Sequence, residues 1–137
     1  MSIPTTLEEG ATLPTRGDPF AAGLDLYALE DCVLNEGPLL VKTGVHMAIP
    51  EGYWGNIRDR SSLAYKYGVR TAAGVIDSSY RGPIGVVMYC LHGEYNISKG
   101  DRVAQLIIQT HSSMNPVQVE TLPETQRGQG GFGSTGK

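Results

Sequence analysis

The stretch Ile84-Gly85-Val86-Val87-Met88-Tyr89-Cys90-Leu91 decides the fold. It is apolar almost throughout, rich in β-branched and aromatic side chains, and bounded by Gly82-Pro83 and His92-Gly93. That pattern predicts a strand covered on both faces. Val103-Ala104-Gln105-Leu106-Ile107-Ile108 reads the same way, and part of the cover for both is expected from another subunit. Working outward, further short runs fall at Leu24 to Ala28, Leu39 to Thr43, Val45 to Ile49, Tyr53 to Arg58, Gly74 to Asp77, Arg102 to Thr110 and Val117 to Glu120. Eighteen glycines and eight prolines separate these runs, and helical periods are nearly absent, so an all-β sandwich or jelly roll is predicted. One helix is expected, Ser61 to Tyr67, with a serine to cap its start and Gly68 to accept a left-handed stop.

A chain of 137 residues has room for one ordinary domain and buries enough surface to fold without disulfides or structural metal. Cys32 and Cys90 lack C-x-x-C spacing and read as plain thiols of a reducing compartment, and His46, His92 and His111 show no ligand spacing. With 11 basic and 14 acidic side chains the formal charge is −3, which disfavours a duplex nucleic-acid binder. The N-terminus has no leader pattern and there is no long apolar run, so a soluble intracellular protein without a membrane segment is expected.

Beyond Glu120 the character changes. Residues 1–122 read as the β domain and 123–137 as a flexible glycine-rich tail, in which Phe132 is the one large apolar side chain. The tail contains G-x-G-x-x-G at Gly128 to Gly133 and G-x-x-x-x-G-K at Gly131 to Lys137. Neither has the strand before it and helix after it that phosphate binding by those motifs requires. What remains is a set of nucleotide-covering groups: Arg127 with a fork of donors for phosphate, Phe132 with a face for a base, and the hydroxyls of Ser134 and Thr135. A frayed terminus is the simpler reading, and a lid that orders on ligand is the other.

In the body, Gly74-Val75-Ile76-Asp77-Ser78-Ser79-Tyr80-Arg81-Gly82 reads as a hairpin leading into the strongest strand. Asp77 is either an Asx cap for its own turn or a general base aimed at a water. Asp59-Arg60-Ser61-Ser62 precedes the short helix, so a guanidinium, two hydroxyls and first-turn amides converge there. This reads equally as a cap with a solvated arginine or as an anion site. Gly100-Asp101-Arg102 suits a turn with a surface ion pair, whereas Gln105, alone in an apolar strand, needs hydrogen-bond partners. No G-x-S-x-G occurs, which argues against a nucleophilic hydrolase.

The order and wording of five segments resemble the deoxyuridine triphosphatase (dUTPase) family. They are Ala21-Ala22-Gly23-Leu24-Asp25-Leu26-Tyr27-Ala28, Arg60-Ser61-Ser62-Leu63-Ala64, Gly74 to Gly82, Gly100-Asp101-Arg102-Val103-Ala104-Gln105-Leu106-Ile107, and Arg127 to Gly136. The resemblance implies a distorted jelly-roll β-barrel or sandwich that forms a homotrimer, with sites at subunit interfaces and each tail closing a neighbour's site. It implies hydrolysis of dUTP to dUMP and pyrophosphate, lowering dUTP and supplying dUMP for thymidylate synthesis. Asp77 would then orient the attacking water. Uracil would be read through backbone at Gly74, Ile76 and Gly85, with Tyr80 packing under the deoxyribose. Arg60, Ser61, Ser62 and Gln105 would hold phosphates, and Arg127, Phe132, Gly133, Ser134 and Thr135 would close from the tail. Magnesium would be held mainly by phosphates and waters, with Asp25 as an outer-shell partner.

The sequence departs from that family's wording in three places. Ser79 stands where an acidic residue is common, Ser62 replaces a glycine, and Asp59 replaces a proline or glycine. An inward-pointing Asp59 would weaken triphosphate binding, whereas a solvent-facing one would do little. Two rival readings are a dCTP deaminase on the related fold, which is expected to carry a glutamate base where this chain has Asp77, and a jelly-roll protein that uses its nucleotide pocket as a switch.

Overall fold

A computed structural model describes every residue except Thr135 and Lys137. In chain order the elements are β1 (Thr5–Leu7), β2 (Thr15–Arg16), β3 (Leu24–Tyr27), β4 (Cys32–Leu34), β5 (Leu39–Met47), β6 (Tyr53–Arg58), α1 (Ser61–Tyr67), β7 (Val69–Ala72), β8 (Val75–Ile76), β9 (Ile84–Cys90), β10 (Tyr95–Ile97) and β11 (Arg102–Thr110). One sheet runs β1-β5-β9-β7, a second runs β2-β3-β11-β6-β8, and β10 pairs β4 in a short ribbon. Every pairing is antiparallel. The two large sheets share one core, to which the first gives Val41, Val45, Ile84, Val86 and Met88 and the second Leu26, Ile57 and Leu106. The predicted all-β sandwich with one short helix is therefore the observed architecture, with sheets that stay open at their edges rather than closing into a barrel.

Several local expectations need correction. Leu39 to Thr43 and Val45 to Ile49 are not separate strands but one, β5, whose pairing with β9 slips between Lys42 and Val45. The slip is a bulge at Gly44, which has φ +69°. There the buried Thr43 hydroxyl donates to the Ile84 carbonyl at 2.5 Å and holds the two sheet neighbours together. Val117 to Glu120 forms no strand. Val117 and Val119 are exposed, and an extended segment with no neighbour to pair with cannot enter a sheet. Along β9 the single chain covers one face fully and the other in part. Ile84, Val86, Met88 and Cys90 are buried, while Gly85, Val87 and Tyr89 are half-buried.

Strands β1, β2, β4, β7 and β10 were not anticipated. Each is two to four residues long, too short to show a period, and exists because a longer strand or a partner supplies its hydrogen bonds. Helix α1 has the predicted bounds and stop: Gly68 sits at φ +66°, and its amide donates to the Ala64 carbonyl at 3.1 Å. Its start differs from expectation. Ser61 is already helical, the N-cap is Arg60, and no side chain caps the first turn. Cys90 is buried, Cys32 is half-buried, and both are free thiols. Among the described residues, no helix is long and apolar enough to cross a membrane.

Candidate active site

The Asp77 hairpin hangs between the two sheets. At its base the Ile57 amide donates to the Gly74 carbonyl at 2.8 Å, and β8 pairs with β6 through Ile76 opposite Gly55. The turn itself is closed through main chain, the Tyr80 amide donating to the Asp77 carbonyl at 3.1 Å. The Asp77 side chain is exposed and lines a cavity of about 220 Å³ with Leu40, Val75, Ile76, Tyr80, Pro83 and Gly85. Tyr80 is fixed there because its hydroxyl donates to the Pro83 carbonyl at 2.8 Å. Its ring lies so near Gly82 that a Cβ at that position would meet the phenolic oxygen at 2.5 Å, so any larger residue there would displace the ring.

Of the residues assigned to the hairpin, the structure brings Ile76, Asp77, Tyr80 and Gly85 together. Gly74 stands outside this lining, and its carbonyl ties the hairpin to β6. Leu40 was missed from sequence. It looks like one more apolar residue of a strand, yet it is 59% exposed and leans over Gly85, where an added Cβ would lie 2.6 Å from its Cδ1. The run Leu39-Leu40-Val41, three apolar residues where a half-buried strand should alternate, was the available signal. Asp77 also borders a larger hollow of about 450 Å³ with Tyr53, Trp54 and His111, but that lining lacks Tyr80 and Gly85.

A second, polar cleft of about 200 Å³ is lined by Asp25, Arg60, Ser61, Ser62 and Gln105. Three elements build it: β3 carries Asp25, the start of α1 carries Arg60 and the serines, and β11 carries Gln105. Asp25 and Gln105 are register partners across the β3/β11 pair. A Cβ at Gly23 would strike the Gln105 Oε1 at 2.4 Å, so the glycine is what lets the amide lie there. Arg60 Nε stands 3.8 Å from one Asp25 oxygen and Arg102 Nη1 stands 3.6 Å from the other. Uncapped first-turn amides, two serine hydroxyls and a guanidinium make a cleft suited to an anion. The expected turn at Gly100-Asp101 is present, with the Asp101 carboxylate accepting the Ser98 amide at 2.8 Å.

Asp59 resolves one departure noted in the sequence, for it points neither into the cleft nor into solvent. Its carboxylate accepts Arg70 Nε at 2.6 Å and the Thr71 amide at 2.8 Å. Burial would raise this carboxyl, but the hydrogen bonds from Thr71 and Arg70 outweigh it and hold the group below the ordinary carboxylate range.

As for metal, the described residues contain no cluster of three or more His, Cys, Asp or Glu side chains able to hold an ion. The cleft's one carboxylate, Asp25, faces two arginines. That donor set fits an ion carried chiefly by phosphate oxygens and waters and met by Asp25 from outside, not one caged by protein.

None of the described tail residues lines either cavity. From His111 to Gln129 every residue is exposed, Phe132 is wholly so, and Thr135 lies outside the described residues. Local bonds shape it, Arg127 Nε donating to the Gly130 carbonyl at 2.7 Å and the Ser134 amide to the Gly131 carbonyl at 3.0 Å. Within one chain, then, Asp77 and the polar cleft stand in separate cavities, and the described part of the tail lines neither.

A β-sandwich with a pocket bearing an exposed aspartate, an anion cleft at a short helix and a free glycine-rich tail defines a nucleotide-handling all-β protein. The chain belongs to the dUTPase family, whose model matches residues 9–136. It is 47% identical over 132 residues to the deoxyuridine 5'-triphosphate nucleotidohydrolase of Paramecium bursaria Chlorella virus 1, covering 95% of this chain and 94% of that one. Among solved structures, the Staphylococcus bacteriophage 80alpha dUTPase with dUpNHpp superposes with a TM-score of 0.94 at 29% identity, covering 99% of both chains. A mutant dUTPase from phage phi11 of S. aureus, which coordinates a structural Mg(II) ion, matches with a TM-score of 0.83 at 27% identity, over 88% of this chain and 98% of that one.

Proposed function

We propose that this chain hydrolyses dUTP to dUMP and pyrophosphate, acting as a homotrimer whose sites lie between subunits. The observation that carries the reading is the convergence of Asp77, Tyr80 and Gly85 on one cavity, with the carboxylate exposed and its turn closed without it. Asp77 is the general base: it orients a water toward the α-phosphorus and takes its proton as pyrophosphate departs. Backbone groups near Ile76 and Gly85 read uracil. Cytosine's amino group would face a donor there, an unpaired contact costing about 1–3 kcal/mol. Tyr80, held by Pro83, packs under the deoxyribose and leaves no room for a 2′-hydroxyl.

Arg60, Ser61, Ser62 and Gln105 hold the phosphates, and Asp25 meets the outer shell of a phosphate-bound magnesium ion. When bound, that ion supplies neutralisation of charge on the phosphate oxygens. The separation of the two cavities within one chain supports assembly, since a neighbouring copy would bring the Asp77 pocket to the phosphate cleft. The exposure of Met114, Val117, Val119 and Leu122 supports a segment ahead of the tail that packs on another subunit. On this reading residues 1–122 are the β domain and 123–137 the lid, with Arg127, Phe132, Gly133, Ser134 and Thr135 closing over nucleotide. Its setting is the intracellular nucleotide pool.

The test is to supply dUTP, UTP, dTTP and dCTP separately with magnesium and follow pyrophosphate and ammonia. Pyrophosphate from dUTP alone is expected. Ammonia from dCTP would place the chain with the deaminases, and no product from any of the four would overturn catalysis altogether.

A further inference from the structure

Asp59 stands between β6 and α1, immediately ahead of Arg60, and its contacts run in two directions. Its carboxylate reaches β7: Oδ2 accepts Arg70 Nε at 2.6 Å, while Oδ1 accepts the Thr71 amide at 2.8 Å and the Thr71 hydroxyl at 2.5 Å. Its carbonyl reaches the cleft, accepting Gln105 Nε2 at 2.9 Å. The side chain is 23% exposed, so these bonds are partly shielded from water. Arg60, by contrast, is held loosely. Its Nη1 donates to the Arg102 carbonyl at 3.3 Å and its Nε lies 3.8 Å from Asp25. It is a non-helical N-cap, φ −87° and ψ 129°, so the backbone entering it decides where the guanidinium points.

We propose that Asp59 is a positioning residue for the triphosphate. Anchored to β7, it fixes the main chain that aims Arg60 and orients the Gln105 amide, so both groups meet the phosphates already in place. The proposal rests on the dUTPase reading. Its physical basis is preorganisation: a flexible arginine and a rotatable amide each lose freedom on gripping a ligand, and that loss is smaller when the backbone and the amide are fixed beforehand. The same bonds explain how an acid is tolerated beside an anion cleft. Its charge is engaged by Arg70 and turned to the far side of the segment.

A positioning role and a merely structural one differ in which ligands suffer. Binding of dUpNHpp, which carries phosphates, and of deoxyuridine, which carries none, is to be measured on full-length protein and on Asp59→Ala and Asp59→Asn, with magnesium present. For Asp59→Ala the dissociation constant for dUpNHpp is expected to rise about tenfold while that for deoxyuridine stays within about twofold. Asp59→Asn keeps an acceptor for Thr71 and is expected to fall between, near threefold for dUpNHpp. Should the alanine variant not fold, Arg70→Ala removes the anchoring ion pair and is expected to show the same selective loss at about threefold. Equal weakening of both ligands, or no weakening of dUpNHpp, overturns the proposal. Wild-type protein that binds neither ligand overturns the dUTPase reading itself.

Discussion

Two glycines near Asp77 separate stability from recognition. Gly74 sits at φ +91°, and a Cβ there would lie 2.8 Å from the carbonyl oxygen of Ile57. Alanine at such a φ costs about 1–2 kcal/mol in backbone strain. Because the obstacle is main chain, relief requires the hairpin base to move off β6. That movement loses the Ile57 to Gly74 hydrogen bond, worth roughly 1 kcal/mol. Gly74→Ala is therefore expected to destabilise by about 2–3 kcal/mol, a fall in melting midpoint of roughly 6–12 °C for a domain of this size. Gly85 has no positive φ, and its added Cβ would meet the Leu40 side chain, Cδ1 at 2.6 Å and Cγ at 3.0 Å, an exposed side chain with room to turn. Gly85→Ala should cost under about 1 kcal/mol in stability. Its methyl group intrudes on the cavity shared with Asp77 and Tyr80, so KM for dUTP should rise about tenfold. The assay is a thermal melt at fixed protein concentration, since an oligomer's midpoint depends on it, alongside pyrophosphate release. A Gly74→Ala protein that melts with wild type refutes the steric argument. A Gly85→Ala protein with unchanged KM refutes the assignment of the cavity.

Asp77→Asn should bind dUpNHpp as wild type does and lose at least about two orders of magnitude in turnover, as removal of a general base predicts; unchanged turnover would remove Asp77 from the mechanism. Truncation after Glu124 should leave secondary structure and oligomeric state intact and cripple turnover, because the tail adds almost nothing to the core; sedimentation and circular dichroism check the first half and pyrophosphate release the second. The lowered Asp59 carboxyl gives stability that is present above its ordinary pKa of 3.8 and is lost as the pH falls through the lower folded value. Urea unfolding of wild type and Asp59→Asn should accordingly show a gap at neutral pH that closes under acid; a gap independent of pH would remove the ion pair as its cause.

The sequence by itself determined the strongest strands, the bounds and stop of α1 and the five segments that carry the family. Each is a local or patterned property: apolar runs closed by turn residues, a glycine where φ must be positive, polar residues at an element's end. What it did not determine depends on contacts between distant segments. The merger of two runs into β5 needs Gly44 to bulge and Thr43 to reach Ile84, and the short strands β1, β2, β4, β7 and β10 exist only beside their partners. Leu40 and Asp59 have partners that the sequence does not display, because one leans on a glycine of β9 and the other is held by Thr71 and Arg70 on β7. Gly74 shows the converse, a motif residue whose carbonyl the fold commits to β6 instead of the cavity. Side-chain type and spacing announce which chemistry is available. Only tertiary structure decides which groups are left free to perform it, because every hydrogen bond made within the fold engages a donor or acceptor the ligand would otherwise meet.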